Sequence, residues 1–167
     1  MGSSPIISTG GDNGVASGWQ SGRRLARFYG AWQPSLMAIV EPEHGELLTS
    51  EVAVLATNGP DGRPQVSPVW FVIEDDRIKI SVREGRQKLR NLRADPSCTF
   101  LAFHPESFDY YVEIRADATV DPDPGYAFAD RLGAKYATDM RTFDAPADTR
   151  AVVTLHPLKT NVVDLRD

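Results

Sequence analysis

The stretch VAVLATNGPDGRPQVSPVWFVIEDDRIKISV, residues 52–82, decides the class of fold. Residues 52–57 form an apolar run of strand length. Residues 58–62, NGPDG, are turn chemistry, with two glycines available for positive φ. Residues 64–74 predict a second strand, and EDDR (74–77) turns the chain again. Residues 77–82 then alternate, with Ile78, Ile80 and Val82 on one side and Lys79 and Ser81 on the other. Two hairpins in succession make a meander.

The pattern continues outward. A short helix over residues 86–93 is stopped by Asp95 and Pro96. Residues 98–103 and 109–120 predict two more strands. Residues 121–137 predict the clearest helix: Asp123 caps it, Pro124 suits its first turn, and Tyr126, Ala129, Leu132 and Tyr136 mark its apolar face. After a loop at 138–148, strands over 151–157 and 159–165 end the chain. About seven short strands with two or three inserted helices give a mostly β (α+β) domain, and such a meander closes most naturally into a small barrel.

On the other side, residues 42–49 predict a short helix opening the body of the domain, residues 41–167. Over 23–40, Leu25, Phe28, Tyr29 and Trp32 recur at helical spacing, which predicts a helical extension ended by Pro34. Eleven of the first 22 residues are Gly or Ser, too little apolar surface to offset ordering entropy, so a disordered arm is expected there.

The totals narrow the function. A chain of 167 residues with 41% hydrophobic and 25% charged residues fits one domain, and its formal charge of -5 argues against nucleic acid as a partner. No apolar run reaches the roughly 18 residues of a membrane span, and the start does not read as a signal peptide. The single cysteine, Cys98, lies in an apolar run, reads as a buried small hydrophobe and suits a reducing cytoplasm. The three histidines, His44, His104 and His156, lack metal-ligand spacing. Neither GxSxG nor GxGxxG occurs.

Two features stand out. The acidic chain gathers Arg83, Arg86, Lys88, Arg90 and Arg93 around the single acid Glu84, where a strand passes through Gly85 into a helix. A helix N-terminus offers unpaired N–H groups and partial positive charge, a ready anion site; basic residues on an amphipathic helix also form plain solvated faces. In a regular helix Arg86 and Lys88 diverge, so they meet on one anion only if Arg86 sits at a frayed first turn. The second feature is Pro68, inside a predicted strand. It marks a sheet edge, a bulge, or a backbone against which a planar ring lies. The adjacent Trp70 and Phe71 face opposite sides, one of them toward the core.

Taken in order, LAT…DGRPQVSPVW, GRQK-RNLR-DP and YVEIRADATV resemble the flavin/deazaflavin oxidoreductases of the split β-barrel type, the superfamily of pyridoxamine 5′-phosphate oxidase, and most closely its branch using the deazaflavin coenzyme F420. The likeness spans residues 43–165. It implies a split β-barrel of six to seven strands forming a homodimer, with the cofactor sites in the interface. The cofactor phosphate would sit by Arg86, Gln87 and Lys88, with Ser81 and Arg83 close by. The ring system would lie along Ser67, Pro68, Val69 and Trp70, approached from the partner subunit by an aromatic near Phe108 to Tyr110, with Phe108 counted among the cofactor-binding residues. The implied activity is hydride transfer between reduced F420 and a small unsaturated organic substrate. An FMN-dependent oxidase or reductase and a non-catalytic cofactor-binding barrel stand as alternatives. No residue is assigned to catalysis; Tyr110 or Tyr111 is a candidate proton donor.

Overall fold

In the computed structural model, residues 35, 36 and 40–166 are described. The expected arm (1–22) and most of the expected helical extension (23–40) lie outside the described residues. The extension's Leu36 and Val40 are described, and both are buried in the core.

Seven antiparallel strands form one sheet: β1 (Ala53–Asn58), β2 (Pro64–Val69), β3 (Val72–Glu74), β4 (Arg77–Arg83), β5 (Ser97–His104), β6 (Ser107–Pro122) and β7 (Arg150–Asp164). Their order across the sheet is β2-β1-β5-β6-β7-β4-β3. The two ends of the sheet, β2 and β3, are thus consecutive in the chain, joined only by Trp70 and Phe71. A seven-stranded sheet whose ends are linked by two residues has to curl until they meet, while no ladder joins them. This is a split barrel, as the sequence led us to expect.

The strand count agrees with expectation for compensating reasons. The run 64–74 was expected as one strand, but it breaks at Trp70 and Phe71 into β2 and β3. The runs 151–157 and 159–165 were expected as two strands, but they are the single β7. Pro157 and Leu158 fall at the expected break between those two strands. In the sheet they form a bulge, where register passes from Arg115↔Lys159 to Ala116↔Pro157, and a bulge tolerates proline. The tight turn between β3 and β4 holds Asp75 and Asp76 at φ 54 and 58, as a two-residue hairpin of type I′ requires.

Among the described residues, two α-helices and three short 3₁₀ turns accompany the sheet. The stretch predicted as an opening helix, Pro42–Thr49, is a 3₁₀ turn that buries Leu47 and Leu48. Helix α1 (Gln87–Ala94) seats Leu89 and Leu92 among Leu55, Phe100, Ile114 and Val153 of the barrel interior. Helix α2 (Ala127–Lys135) starts later than its sequence suggests, because Gly125 and Tyr126 take positive φ and kink the entry. Asp123 still caps it, accepting from the N–H groups of Phe128 (2.8 Å) and Ala129 (2.9 Å) across that kink. The buried face of α2 is Phe128, Ala129, Leu132 and Gly133. Among the described residues no helix is long and apolar enough to cross a membrane.

The linker between the sheet ends has no ladder partner, and α2 with the residue after it supplies one. The Tyr136 hydroxyl accepts from Phe71 N–H (3.1 Å) and lies 2.7 Å from the Glu51 carbonyl; Lys135 Nζ donates to the Phe71 carbonyl (3.0 Å). Phe71 itself is core, edge-on to Phe100. A Tyr136→Phe substitution keeps the ring and leaves that N–H without its acceptor, so we expect a loss of about 1–3 kcal/mol in urea unfolding.

Candidate functional site

The gap between the sheet's ends holds a cavity of about 460 Å³, a size that suits a small organic ligand. Ser67, Pro68, Val69 and Trp70 line it from β2 and the linker, Ser81 and Arg83 from β4, and Arg86, Gln87 and Lys88 from the start of α1. Of the residues that the resemblance assigned to the cofactor, all but Phe108 line this cavity. Phe108 is 83% exposed at the start of β6, against Phe103, and does not line the cavity. Pro68 lies in a terminal strand paired only with β1, opposite Val54.

Chain geometry explains the basic turn. Gly85, at φ +78, turns β4 into α1, a conformation costly for any residue with a side chain. Arg86 is the N-cap, but its backbone is extended (φ -71, ψ 143), so it lies outside the helix and both it and Lys88 line the cavity. No side chain caps the helix start, which leaves its first N–H groups for a ligand. The other cations are committed. Arg93 forms a two-pronged pair with Glu84 (2.9 and 2.6 Å), Arg90 holds the Gly85 carbonyl (2.6 Å) and Gln87 Oε1, and Arg83 pairs with Asp148 (2.9 Å). Among the described residues, Arg86 and Lys88 have no carboxylate partner. Burial, and then the neighbouring Arg86 charge, push the Lys88 pKa below the usual lysine range. A counter-anion is what this arrangement lacks.

The family model for pyridoxamine 5′-phosphate oxidase matches residues 40–164. The chain belongs to the pyridoxamine 5′-phosphate oxidase family. Solved structures share its fold. An F420 reductase is 29% identical, with a TM-score of 0.65, over 73% of this chain and 98% of that one. A conserved hypothetical protein from Mycobacterium tuberculosis is 26% identical, with a TM-score of 0.62, over 81% of this chain and 91% of that one. A putative pyridoxamine 5′-phosphate oxidase from Listeria innocua is 16% identical over 71% of this chain and 92% of that one; with a TM-score of 0.56 it shares the fold.

This member of the pyridoxamine 5′-phosphate oxidase family carries further cavity residues that sequence reasoning missed. Trp70 stacks on Tyr136 (ring centroids 4.6 Å apart, 9° between planes) and meets Phe143 edge-on at 5.9 Å; Leu132 and Met140 extend this apolar wall. Arg150 also lines the cavity. It is buried, with its Nε 2.6 Å from Asp144 and its Nη1 donating to Ser81 Oγ (3.2 Å). Arg150 sits at the border of a loop and a strand, and its partner lies in that loop, so no periodicity pointed to it. Asn91 is buried too. It donates to Thr57 Oγ1 (3.0 Å) and Gln65 Oε1 (3.1 Å) and accepts from Gln87 (2.8 Å), which locks α1 to the first hairpin.

Other groups are placed away from this chemistry. Neither candidate proton donor lines the cavity: the Tyr110 hydroxyl is buried and hydrogen-bonded to His44 Nδ1 (2.8 Å), and Tyr111 packs near Phe103. Burial pushes the Cys98 thiol up to about 12, so it stays protonated and inert. Among the described residues no group of His, Cys, Asp or Glu is arranged to hold a metal ion.

The Arg150–Asp144 pair predicts its own cost. The side chains are only 6% and 2% exposed, so removing the carboxylate strands a buried guanidinium. We expect Asp144→Asn to lower stability by about 3 kcal/mol or more in urea unfolding, with the Asp130→Asn variant on the exposed surface of α2 as a near-neutral control.

Proposed function

We propose that this protein is a deazaflavin (F420)-dependent oxidoreductase acting on a small unsaturated organic substrate. The observation that carries the reading is the pairing, in one cavity, of two uncommitted cations at an uncapped helix start with a stacked aromatic wall. The likeness to an F420 reductase over nearly all of that protein's length supports the same choice.

The residues present fit such a group. The phosphate-bearing tail would be held by Arg86, Lys88 and the free N–H groups of Gln87 and Lys88, and the open space beside Gly85 lets an anion approach the backbone. The ring system would lie along the free edge of β2 at Ser67, Pro68 and Val69, with Trp70 nearby. Bound there, the deazaflavin supplies a hydride in a two-electron transfer. The protein's part is positioning: Tyr136 and Phe143 fix the indole of Trp70, the split leaves one side of the cavity open to substrate, and the apolar wall keeps water away from the reacting face.

We extend the reading to a homodimer in which Phe108 of the partner subunit approaches the cavity, which would give that exposed ring a role, and to a cytoplasmic setting suited to the free thiol of Cys98. FMN is the second reading. Two uncommitted cations match the charge of one terminal phosphate, and the family takes its name from an oxidase of a phosphorylated substrate.

Parallel fluorescence titrations with F420, FMN, FAD and haem test the choice. We expect F420 to bind tightest; a flavin that copurifies, with no F420 binding, would overturn the reading in favour of FMN. Consumption of reduced F420 with a panel of enones and quinones separates an enzyme from a non-catalytic binder. Lys88 gives a pH signature. Its pKa is depressed in the free site, and a bound anion raises it, so binding takes up a proton once pH exceeds the depressed value. Affinity for the anionic ligand should therefore fall as pH rises through that value, and Lys88→Ala should remove this fall and weaken binding more at low salt than at high salt.

A further inference from the structure

The loop between α2 and β7 carries two carboxylates, Asp144 lining the cavity and Asp148 just outside its lining, and each is paired with an arginine that lines it. Asp144 holds Arg150; Asp148 holds Arg83 at 2.9 Å. The two pairs differ in burial. Arg150 and Asp144 are 6% and 2% exposed, whereas Arg83 and Asp148 are each 30% exposed. A half-exposed pair is held against water by no more than roughly fivefold, while opening the buried one costs a hundredfold or more.

Asp148 is also built to stay in place when its arginine leaves. Its carboxylate accepts from the Ala145 N–H (2.9 Å), its own N–H donates to the Ala145 carbonyl (2.9 Å), and its carbonyl is 2.9 Å from the Tyr126 hydroxyl. The same hydroxyl lies 3.0 Å from Asp144, so the two acids are tied to one fixed group. Arg83, by contrast, has Asp148 as its one ion-pair partner among the described residues, and it sits on the strand that leads straight to Arg86 and Lys88. Its guanidinium can exchange partners while the loop, with Met140 and Phe143 of the apolar wall, remains anchored through Arg150.

We propose that Asp148 is a displaceable counter-ion on Arg83 and so sets how much negative charge the anion site takes. With Asp148 engaged, the site offers Arg86 and Lys88, enough for a single phosphoryl group. A more heavily charged tail draws Arg83 off Asp148 and gains a third cation. Asp148 thereby acts as a specificity residue although it does not line the cavity. The inference rests on the cavity being an anion site, and it deepens the reading given above without depending on which ring the ligand carries.

The test uses the full chain and inorganic pyrophosphate, by calorimetric titration at low salt. Asp148→Asn keeps an acceptor for the Ala145 N–H and removes the charge. It should tighten pyrophosphate binding about threefold to tenfold, and thermal melting should show that the variant is folded. On an Arg83→Gln background most of that gain should vanish, because there is no guanidinium to release and only the through-space effect of the Asp148 charge, which also reaches Arg86, remains. Unchanged or weaker binding by Asp148→Asn, an equal gain on the Arg83→Gln background, or no pyrophosphate binding by either form would overturn the proposal. Failure of F420 to bind while the pyrophosphate cycle holds would overturn the cofactor reading and leave this one standing; the reverse result would do the opposite.

Discussion

Two residues, Trp70 and Phe71, carry the chain from one end of the seven-stranded sheet to the other, and most of the molecule follows from how their backbone is satisfied. Strands at sheet ends present unpaired N–H and C=O groups, and a buried unpaired group is costly. Here Tyr136 and Lys135 take up the Phe71 groups, so the ends can approach without a ladder between them. The opening this leaves is the cavity. The same tyrosine stacks on Trp70, so the interaction that permits the split also fixes one wall of the site. Fold and site thus share one contact.

Electrostatics divides the basic turn into residues that hold the structure and residues that face a ligand. Glu84 and the Gly85 carbonyl occupy Arg93 and Arg90, which fastens α1 to the turn before it. Arg86 and Lys88 are left over, and both line the cavity beside the paired Arg83. An acidic protein tolerates such a concentration of positive charge because much of it is consumed locally by hydrogen bonds and ion pairs, and the remainder faces a cavity.

The hairpins were legible because their signals are local. NGPDG marks its own turn, and the alternation of Ile78, Ile80 and Val82 marks its own face. The break expected after residue 157 failed for the opposite reason: whether a chain ends its strand at a proline or bulges there depends on the strand alongside, here the far-off Arg115 and Ala116. The site was legible as a set of residues but not as a mechanism of assembly. Arg86 and Lys88 were visible as charge, yet the sequence alone left open whether they converge; that turns on one residue's extended backbone. Asn91 looked like a flank of the apolar stripe, and its burial is set by Thr57 and Gln65, which come from another hairpin. Arg150 gave no signal, since its meaning comes from Asp144 across an irregular loop.

The amide chain running from Arg90 through Gln87 to Asn91 has a direction. Both Nε and Nη2 of Arg90 donate to Gln87 Oε1, and Gln87 Nε2 donates onward to Asn91. A primary amide has two acceptor lone pairs and two donor hydrogens, so Gln87 has given up both lone pairs and one hydrogen. Flipping it would face guanidinium against NH₂ on one side and oxygen against oxygen on the other. Whatever enters the cavity meets Gln87 only as a hydrogen donor, and the polarity of that encounter is fixed by an arginine on the outer surface of the helix.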